Sequence, residues 1–575
     1  MTWFGQSGNI TQRFGWQGLA VSAAAALTAL TACTATPASP PSSEGSPSVT
    51  SSPAASPRTA PASPDPTAAD TAPVPLGWGP EQRDADAATA ALAGMTVEQK
   101  AGQVLVPFYS GADPAAQADT IRRLHLAGSI VMGDNVPQAA DGSADPAAMA
   151  RSTAVLREAV GADGRTWPGI VAVDQEGGPV ARLRAPLTEW PAAMAYGAAG
   201  DPALARDAGR AMGAELAGLG FTMNFAPDAD VTIGPQDPVI RSRSFSDDPD
   251  AVSAHAVAMS AGLLDAGVLP AVKHFPGHGS VTVDSHVGLP VQGAGLAELE
   301  ARDWKPFRAA VAAGLPMVMT GHIDVPALEA GIPASLSKAT YGHLRSLGFK
   351  GVAVTDALNM GAIGQNYAVG EESVKALAAG ADLLLMPPDV EAAHSAIVTA
   401  VGNGSLPEDR LNEAAARVIT LMAWQGRKGA GTPPAPPGAG AAVSSAVSAK
   451  AVTVVAGPCS GRLVGDAVQV AGGSELDRAR FTEAARAAGL AVGSGPVVRL
   501  VGPGAPQGAA GNIDVSLDDP WPLAGSAAGS VIAVYGRSPG SFEALVGVLT
   551  GSVPATGKLP VAVGSWPRGA GCANY

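Results

Sequence analysis

The stretch GVLPAVKHFPGHGSVTVDSH, residues 267–286, changes character part-way along its length. Gly267 to Val272 form a short apolar run that reads as a buried strand. The remainder holds three of the chain's eight histidines, and its Pro276, Gly277 and Gly279 forbid a regular helix. A loop therefore begins where a strand ends, which is where α/β folds place their chemistry.

The same alternation recurs on both sides of it. Apolar, β-rich runs lie at 103–109, 129–133, 169–174, 221–227, 268–274, 316–322, 351–356 and 381–386. Helical patterns follow them at 115–126, 146–160, 202–219, 249–265, 296–313, 337–347, 370–379 and 390–401. Eight strand–helix pairs predict an α/β fold of (β/α)8 barrel type, whose parallel strands are buried on both faces and read as continuous apolar runs. A doubly wound open sheet is the alternative. Asp174, Asp228, His274, His322 and Asp356 end strands, and a barrel would gather those ends on one face.

The 575 residues are 46% hydrophobic and 15% charged, enough for large cores. A net charge of -14, with no run of Lys and Arg to follow a phosphate backbone, argues against a nucleic-acid partner. Arg13 precedes an apolar, Ala-rich run from Gly18 to Ala32, too short to span a bilayer but suited to a secretory signal. It ends Leu30-Thr31-Ala32-Cys33, which resembles a bacterial lipobox and makes Cys33 the candidate lipidation site. Residues 1–32 are thus expected to be a signal peptide. Residues 33–80, rich in Ser, Pro and Ala, should form a disordered tether that holds the chain at the membrane without spanning it. The expected location is extracytoplasmic and lipid-anchored. Cys459 and Cys572 remain as an even pair, for which a disulfide is permitted in that compartment.

The expected barrel covers 81–428, a Gly/Pro/Ala linker 429–446, and a smaller α/β layer domain 447–575. Strand-like runs at 451–456, 497–501 and 531–535 and helical patterns at 475–488 and 541–549 support that last domain. Its Glu475, Glu483 and Glu543 stand in no catalytic context.

Asp356 follows Val352-Ala353-Val354-Thr355 and should sit at the barrel mouth, although a strand-terminal Asp can equally cap a helix. Asp174 has the same position in VDQEGGPVARL, and Arg182 can reach back to it. Asp284 and His286 lie two apart, so an extended backbone would point them the same way and let Asp284 orient the imidazole. An Asp-His pair opposite a lone carboxylate has the layout of a general acid/base opposite a nucleophile.

The segments VDQEGGPVARL, PVIRSRSF (238–245), KHFPGHG with DSH, and VTDALNM (354–360) resemble glycoside hydrolase family 3, specifically its β-N-acetylglucosaminidases. The resemblance implies a retaining exo-glycosidase with Asp356 as nucleophile, His286 as acid/base and Asp284 as its partner. It implies sugar-binding roles for Asp174, Arg182, Arg243, Lys273 and His274, and no metal or organic cofactor. Many relatives carry Asp-Thr after KHFPGHG, where this chain has Ser280-Val281. Together with the anchor, the resemblance points to cell-wall glycans as substrate and to a monomer.

Beside a β-glucosidase of the same family, three other readings stay open. A neutral imidazole after proton loss would not repel phosphate, so phosphorolysis is compatible with the same residues. A zinc hydrolase could use His274, His278, Asp284 and His286, without the helical HExxH spacing. A binding lipoprotein could keep the barrel and lack turnover.

Overall fold

A computed structural model describes residues 73–429, 432–502 and 512–572. Cys33 and the signal segment lie outside the described residues. Eight parallel strands form the large domain: β1 (Leu105–Val106), β2 (Gly128–Val131), β3 (Ile170–Val173), β4 (Met223–Asn224), β5 (Val272–Phe275), β6 (Met317–Thr320), β7 (Val352–Thr355) and β8 (Leu384–Leu385). A further piece, Leu269–Pro270, pairs with β4, so the fifth strand is interrupted at Ala271. Pro270 has no N–H to continue the ladder there.

The ring closes through hydrogen bonds. Parallel ladders join β2 to β3, β3 to β4, β5 to β6, β6 to β7 and β8 to β1. Parallel bridges join Asp228 to Lys273 and Val354 to Leu383, and Ile130 N donates to Pro107 O at 3.0 Å between β1 and β2. The barrel, rather than the open sheet, is the architecture. Residues alternate along each strand between two cores. Ile170, Ala172, Met317, Met319, Val352 and Val354 belong to one apolar cluster, while Val171, Val173, Val318 and Ala353 pack in the other.

Three of the outer helices start with Asp-Pro. The side chains of Asp145, Asp201 and Asp248 accept hydrogen bonds from Ala148, Ala203 and Asp250 N–H, and the proline occupies a position that needs no donor. The helix expected over 296–313 is two helices, Leu296–Ala301 and Lys305–Ala312. Pro306 falls in the first turn of the second, where its ring is tolerated; inside one continuous helix it would clash with the turn before it.

Two boundaries differ from expectation. Trp78, within the expected tether, is buried in the same cluster as Trp424 of the helix Glu408–Lys428, so order begins before residue 80. The helix Ala441–Ala451 runs across the expected end of the linker, and Ser444 Oγ donates from it to Glu189 O at 2.7 Å.

The smaller domain is a five-stranded sheet in the order Thr453–Ala456, Ser530–Ala533, Ile513–Ser516, Ala491–Val501, Ala467–Gly472, parallel except at the first edge. A disulfide joins Cys459 to Cys572. The sheet domain and the barrel meet through the bidentate pair Arg241–Asp519 (2.9 Å twice), Arg480–Glu189 (2.5 Å) and the Ala192 N–H on Tyr535 O (2.9 Å). Among the described residues, no helix is long and apolar enough to cross a membrane.

Candidate active site

The strand ends converge on a cavity of about 260 Å³ at the barrel mouth, lined by Asp174, Arg182, Arg243, Lys273, His274, His286 and Asp356 among others. All the sugar-binding and proton-transfer candidates except Asp284 line it; Asp284 reaches it through His286. Asp356 caps no helix among the described residues: its Oδ1 accepts from the adjacent Ala357 N–H at 2.8 Å, and the next helical turn starts at Gly361. Burial alone would raise its pKa. The imidazoles of His274 and His322, the Ala357 amide and the Lys273 ammonium outweigh burial and hold the carboxyl well below its usual range. Asp356 is thus a half-buried, ionised carboxylate that lines the cavity.

Behind it lies a charge network that only the fold assembles. Lys273 Nζ is 3.0 Å from Asp174 Oδ1 and 2.7 Å from Glu176 Oε1, and Arg243 grips Glu176 through two bonds of 2.9 Å. Burial would raise the pKa of Glu176, but Arg243 and Lys273 carry it far below the usual carboxylate range. Arg182 reaches back to Asp174 at 3.4 Å, as its spacing suggests. His274 is fixed by Asp230, whose Oδ2 accepts from His274 Nδ1 at 2.7 Å and from its amide at 3.2 Å. Since a carboxylate only accepts, Nδ1 carries a proton, and Nε2 faces Arg243 Nη2 at 3.5 Å.

Asp228 contrasts with its neighbours. Burial first, then the charges of Asp230 and Glu176, push its carboxyl well above the usual range. Arg243 lies 3.4 Å away but is already claimed by Glu176, and Asp228 Oδ2 has no hydrogen-bond partner among the described residues. His322 donates from Nε2 to Ala357 O (2.9 Å), which fixes the tautomer, and Nδ1 accepts from Ser335 Oγ (2.7 Å). Burial lowers its pKa. It thereby shapes the turn that carries Asp356.

His286 sits on the rim. Its side chain is 62% exposed, and Nδ1 donates to Asp284 Oδ1 at 2.7 Å, while Nε2 has no hydrogen-bond partner among the described residues. The backbone there is a turn, not the extended segment that the two-residue spacing predicts. Val287 and Gly288 N–H both bond to Asp284 O, and the His286 amide donates to Asp284 Oδ1 at 2.8 Å. The pair is made by a turn in which Asp bonds the residue two ahead, a local geometry Asp favours. The loop is also pinned: Ser285 Oγ to His278 Nε2 (2.8 Å), Gly361 N to His286 O (3.2 Å) and Gln365 Nε2 to Val287 O (3.0 Å). His278 is a buried loop anchor whose amide donates to Asp230 Oδ1 at 2.6 Å.

The four ligands of the zinc reading are spent separately, on Asp230, Ser285 and each other. Among the described residues, the group of His, Cys, Asp and Glu whose donor atoms all lie within 4.8 Å is Asp228, Asp230 and His274. Glu475 and Glu483 line a separate open hollow, and Glu543 bonds Ser445 at 3.4 Å. Sequence reasoning gave no role to Glu176 or Asp230. Each lies two residues past an acidic strand end, Asp174 and Asp228, and that repeated acid-x-acid spacing was the available signal.

A (β/α)8 barrel presenting one half-buried ionised carboxylate and one Asp-held histidine to a sugar-sized cavity has the layout of a glycoside hydrolase. The chain belongs to glycosyl hydrolase family 3: residues 96–421 match the model described as "Glycosyl hydrolase family 3 N terminal domain". Beta-hexosaminidase LpqI of Mycobacterium tuberculosis is 36% identical over 338 residues, 57% of this chain and 83% of that protein. Beta-hexosaminidase A of Pseudoalteromonas piscicida is 32% identical over 379 residues, 58% of this chain and 62% of that protein. The structure of a family 3 beta-N-acetylglucosaminidase from Paenibacillus sp. str. FPU-7 superposes with a TM-score of 0.72 at 30% identity, covering 82% of this chain and 99% of that one.

Proposed function

We propose that the protein is a retaining exo-β-N-acetylglucosaminidase that removes terminal N-acetylglucosamine from cell-wall glycans. The observation that carries this reading is the shared cavity of Asp356 and His286, one held ionised by its surroundings and the other held at Nδ1 by Asp284. Asp356 attacks the anomeric carbon while His286 Nε2 gives its proton to the departing oxygen, and a glycosyl-enzyme forms. Neutral His286 then takes a proton from water, which attacks the same carbon and releases the sugar with its configuration retained. Asp174, Arg182, Lys273, Arg243 and His274 bind the sugar's hydroxyls and acetamido group. Because Lys273 and His274 are buried and the other three half-buried, a sugar lacking those groups leaves donors unpaired, which sets specificity.

A lipid on Cys33 would hold the monomeric enzyme outside the cytoplasmic membrane, beside that substrate. Cys33→Ala should release it from the membrane fraction. The functional test is hydrolysis of a chromogenic β-N-acetylglucosaminide beside the matching β-glucoside, with and without phosphate. Faster release from the N-acetylglucosaminide and free sugar as product are expected. Preference for the glucoside, or sugar 1-phosphate as the main product, would overturn the assignment.

A further inference from the structure

Arg243 lines the catalytic cavity from a loop rather than from a strand. The segment 237–247 lies between β4 and the helix Pro249–Asp265, and it brings Val239, Ile240 and Arg243 to the cavity wall. The buried carboxylate of Asp237 builds its near end, accepting from the amides of Val239 (2.9 Å), Ile240 (2.8 Å) and Arg241 (3.0 Å). Arg241 to Arg243 then make one short helical turn, and Arg241 enters it at a φ of +46°. A residue with a Cβ adopts that left-handed conformation at a cost, so the turn needs support from outside its own backbone.

The smaller domain gives that support. Buried Asp519 grips Arg241 through two bonds of 2.9 Å, to Nε and Nη2, and the Arg241 guanidinium carbon lies 5.5 Å from the centre of the Trp521 ring. Trp521 is itself fixed, its Nε1 donating to Ala562 O at 3.1 Å. Beyond Arg243, Ser246 Oγ donates to Pro560 O at 2.5 Å and Arg568 Nη1 to Asp247 Oδ1 at 2.6 Å. The loop is therefore held on both sides of Arg243 by the same domain. Arg241, Asp519 and Trp521 do not line the cavity, so whatever they do for a sugar they do through Arg243.

We propose that Asp519 is a positioning residue: through Arg241 it holds the turn that aims Arg243 at Glu176 and the cavity, so the smaller domain sets how tightly the sugar is held without touching it. The link to sugar rests on the glycosidase reading; the brace itself rests on the Arg241–Asp519 pair. A bidentate pair fixes the orientation of a guanidinium as well as its distance, which a single contact would not. Glycine takes a positive φ without the cost that arginine bears, so Arg241→Gly removes both the handle and the need for it.

The test is steady-state hydrolysis of an aryl β-N-acetylglucosaminide by full-chain variants, with hydrogen exchange across residues 238–246 read by mass spectrometry. Asp519→Ala should raise KM about tenfold, change kcat by less than about threefold, and speed exchange in that segment. A purely structural role would reduce the folded fraction, and hence kcat, and leave KM alone. Asp519→Asn keeps an acceptor for one of the two bonds; its KM should rise about threefold, and it serves if the Ala variant does not fold. In a chain already carrying Arg241→Gly, Asp519→Ala should move KM by less than about twofold, because the path runs through Arg241. KM unchanged in both Asp519 variants, or the same tenfold rise in the Arg241→Gly chain, overturns the brace and leaves the glycosidase reading standing. If the unmutated chain hydrolyses nothing, the glycosidase reading falls, while faster exchange in Asp519→Ala still supports the brace.

Discussion

Replacing Asp230 with Asn keeps the side chain's volume and removes its charge. Asp230 is fully buried; Oδ2 accepts from the His274 imidazole and amide, and Oδ1 from the His278 amide. If the Asn oxygen stays with the His278 amide, its NH2 group faces His274 Nδ1, which can then only accept. The proton moves to Nε2, so the atom turned toward Arg243 and the cavity changes its hydrogen-bonding role. The charge-assisted bond lost is worth about 1.5–3 kcal/mol, equivalent to about 10- to 150-fold in kcat/KM. Steady-state kinetics on an aryl β-N-acetylglucosaminide measure the loss, and long-range 1H–15N spectra of the imidazole report the tautomer. An inverted tautomer with kcat/KM within twofold of the unmutated enzyme would refute the assignment of His274 as an oriented substrate contact.

Glu176→Gln should destabilise the fold by about 3–5 kcal/mol in urea titrations, because it leaves Arg243 and Lys273 buried beside each other without their shared carboxylate; a loss below 1 kcal/mol would show the pair to be screened. His278 is pushed down to about 4 by burial, from 6.5 in the unfolded chain. Below pH 6.5 the unfolded chain takes the proton and the folded one does not until about pH 4, so stability present above 6.5 falls by about 3 kcal/mol across that window. The unmutated protein should show this extra loss between pH 7.5 and 4.5, and His278→Gln should not. Replacing Cys459 and Cys572 together with Ser opens a link across 113 residues and should cost about 2–5 kcal/mol, with the reduced unmutated protein matching the variant.

The barrel was legible because each buried strand is a continuous apolar run and several helices announce themselves with Asp-Pro. Asp356, His286 and their cavity followed from strand ends and one loop. What could not be read is non-local. Glu176 finds its purpose only when Arg243, 67 positions away on a short helical turn, and Lys273, 97 positions away on β5, arrive beside it, and Asp230 only when β5 brings His274 beside it. The long helix Glu408–Lys428 escaped notice because no strand follows it, and Trp78 because a lone Trp in a Pro/Ser/Ala segment carries no period. The Asp284–His286 pair was reached by the wrong backbone: two residues share a side in a strand, but here a side chain-to-amide turn brings them together. Ser280 Oγ donates to Asp303 Oδ1 at 2.5 Å and so helps to anchor the loop.

The central claim is that Asp356 forms the covalent bond to the sugar. The most direct measurement is to trap the glycosyl-enzyme with a slow fluorinated N-acetylglucosaminide bearing a good leaving group, then digest it and map the added mass. One sugar per chain attached to the peptide containing Asp356, absent in Asp356→Ala, is the predicted result. A label on another carboxylate, or turnover by the Asp356→Ala chain with inverted product, would contradict it.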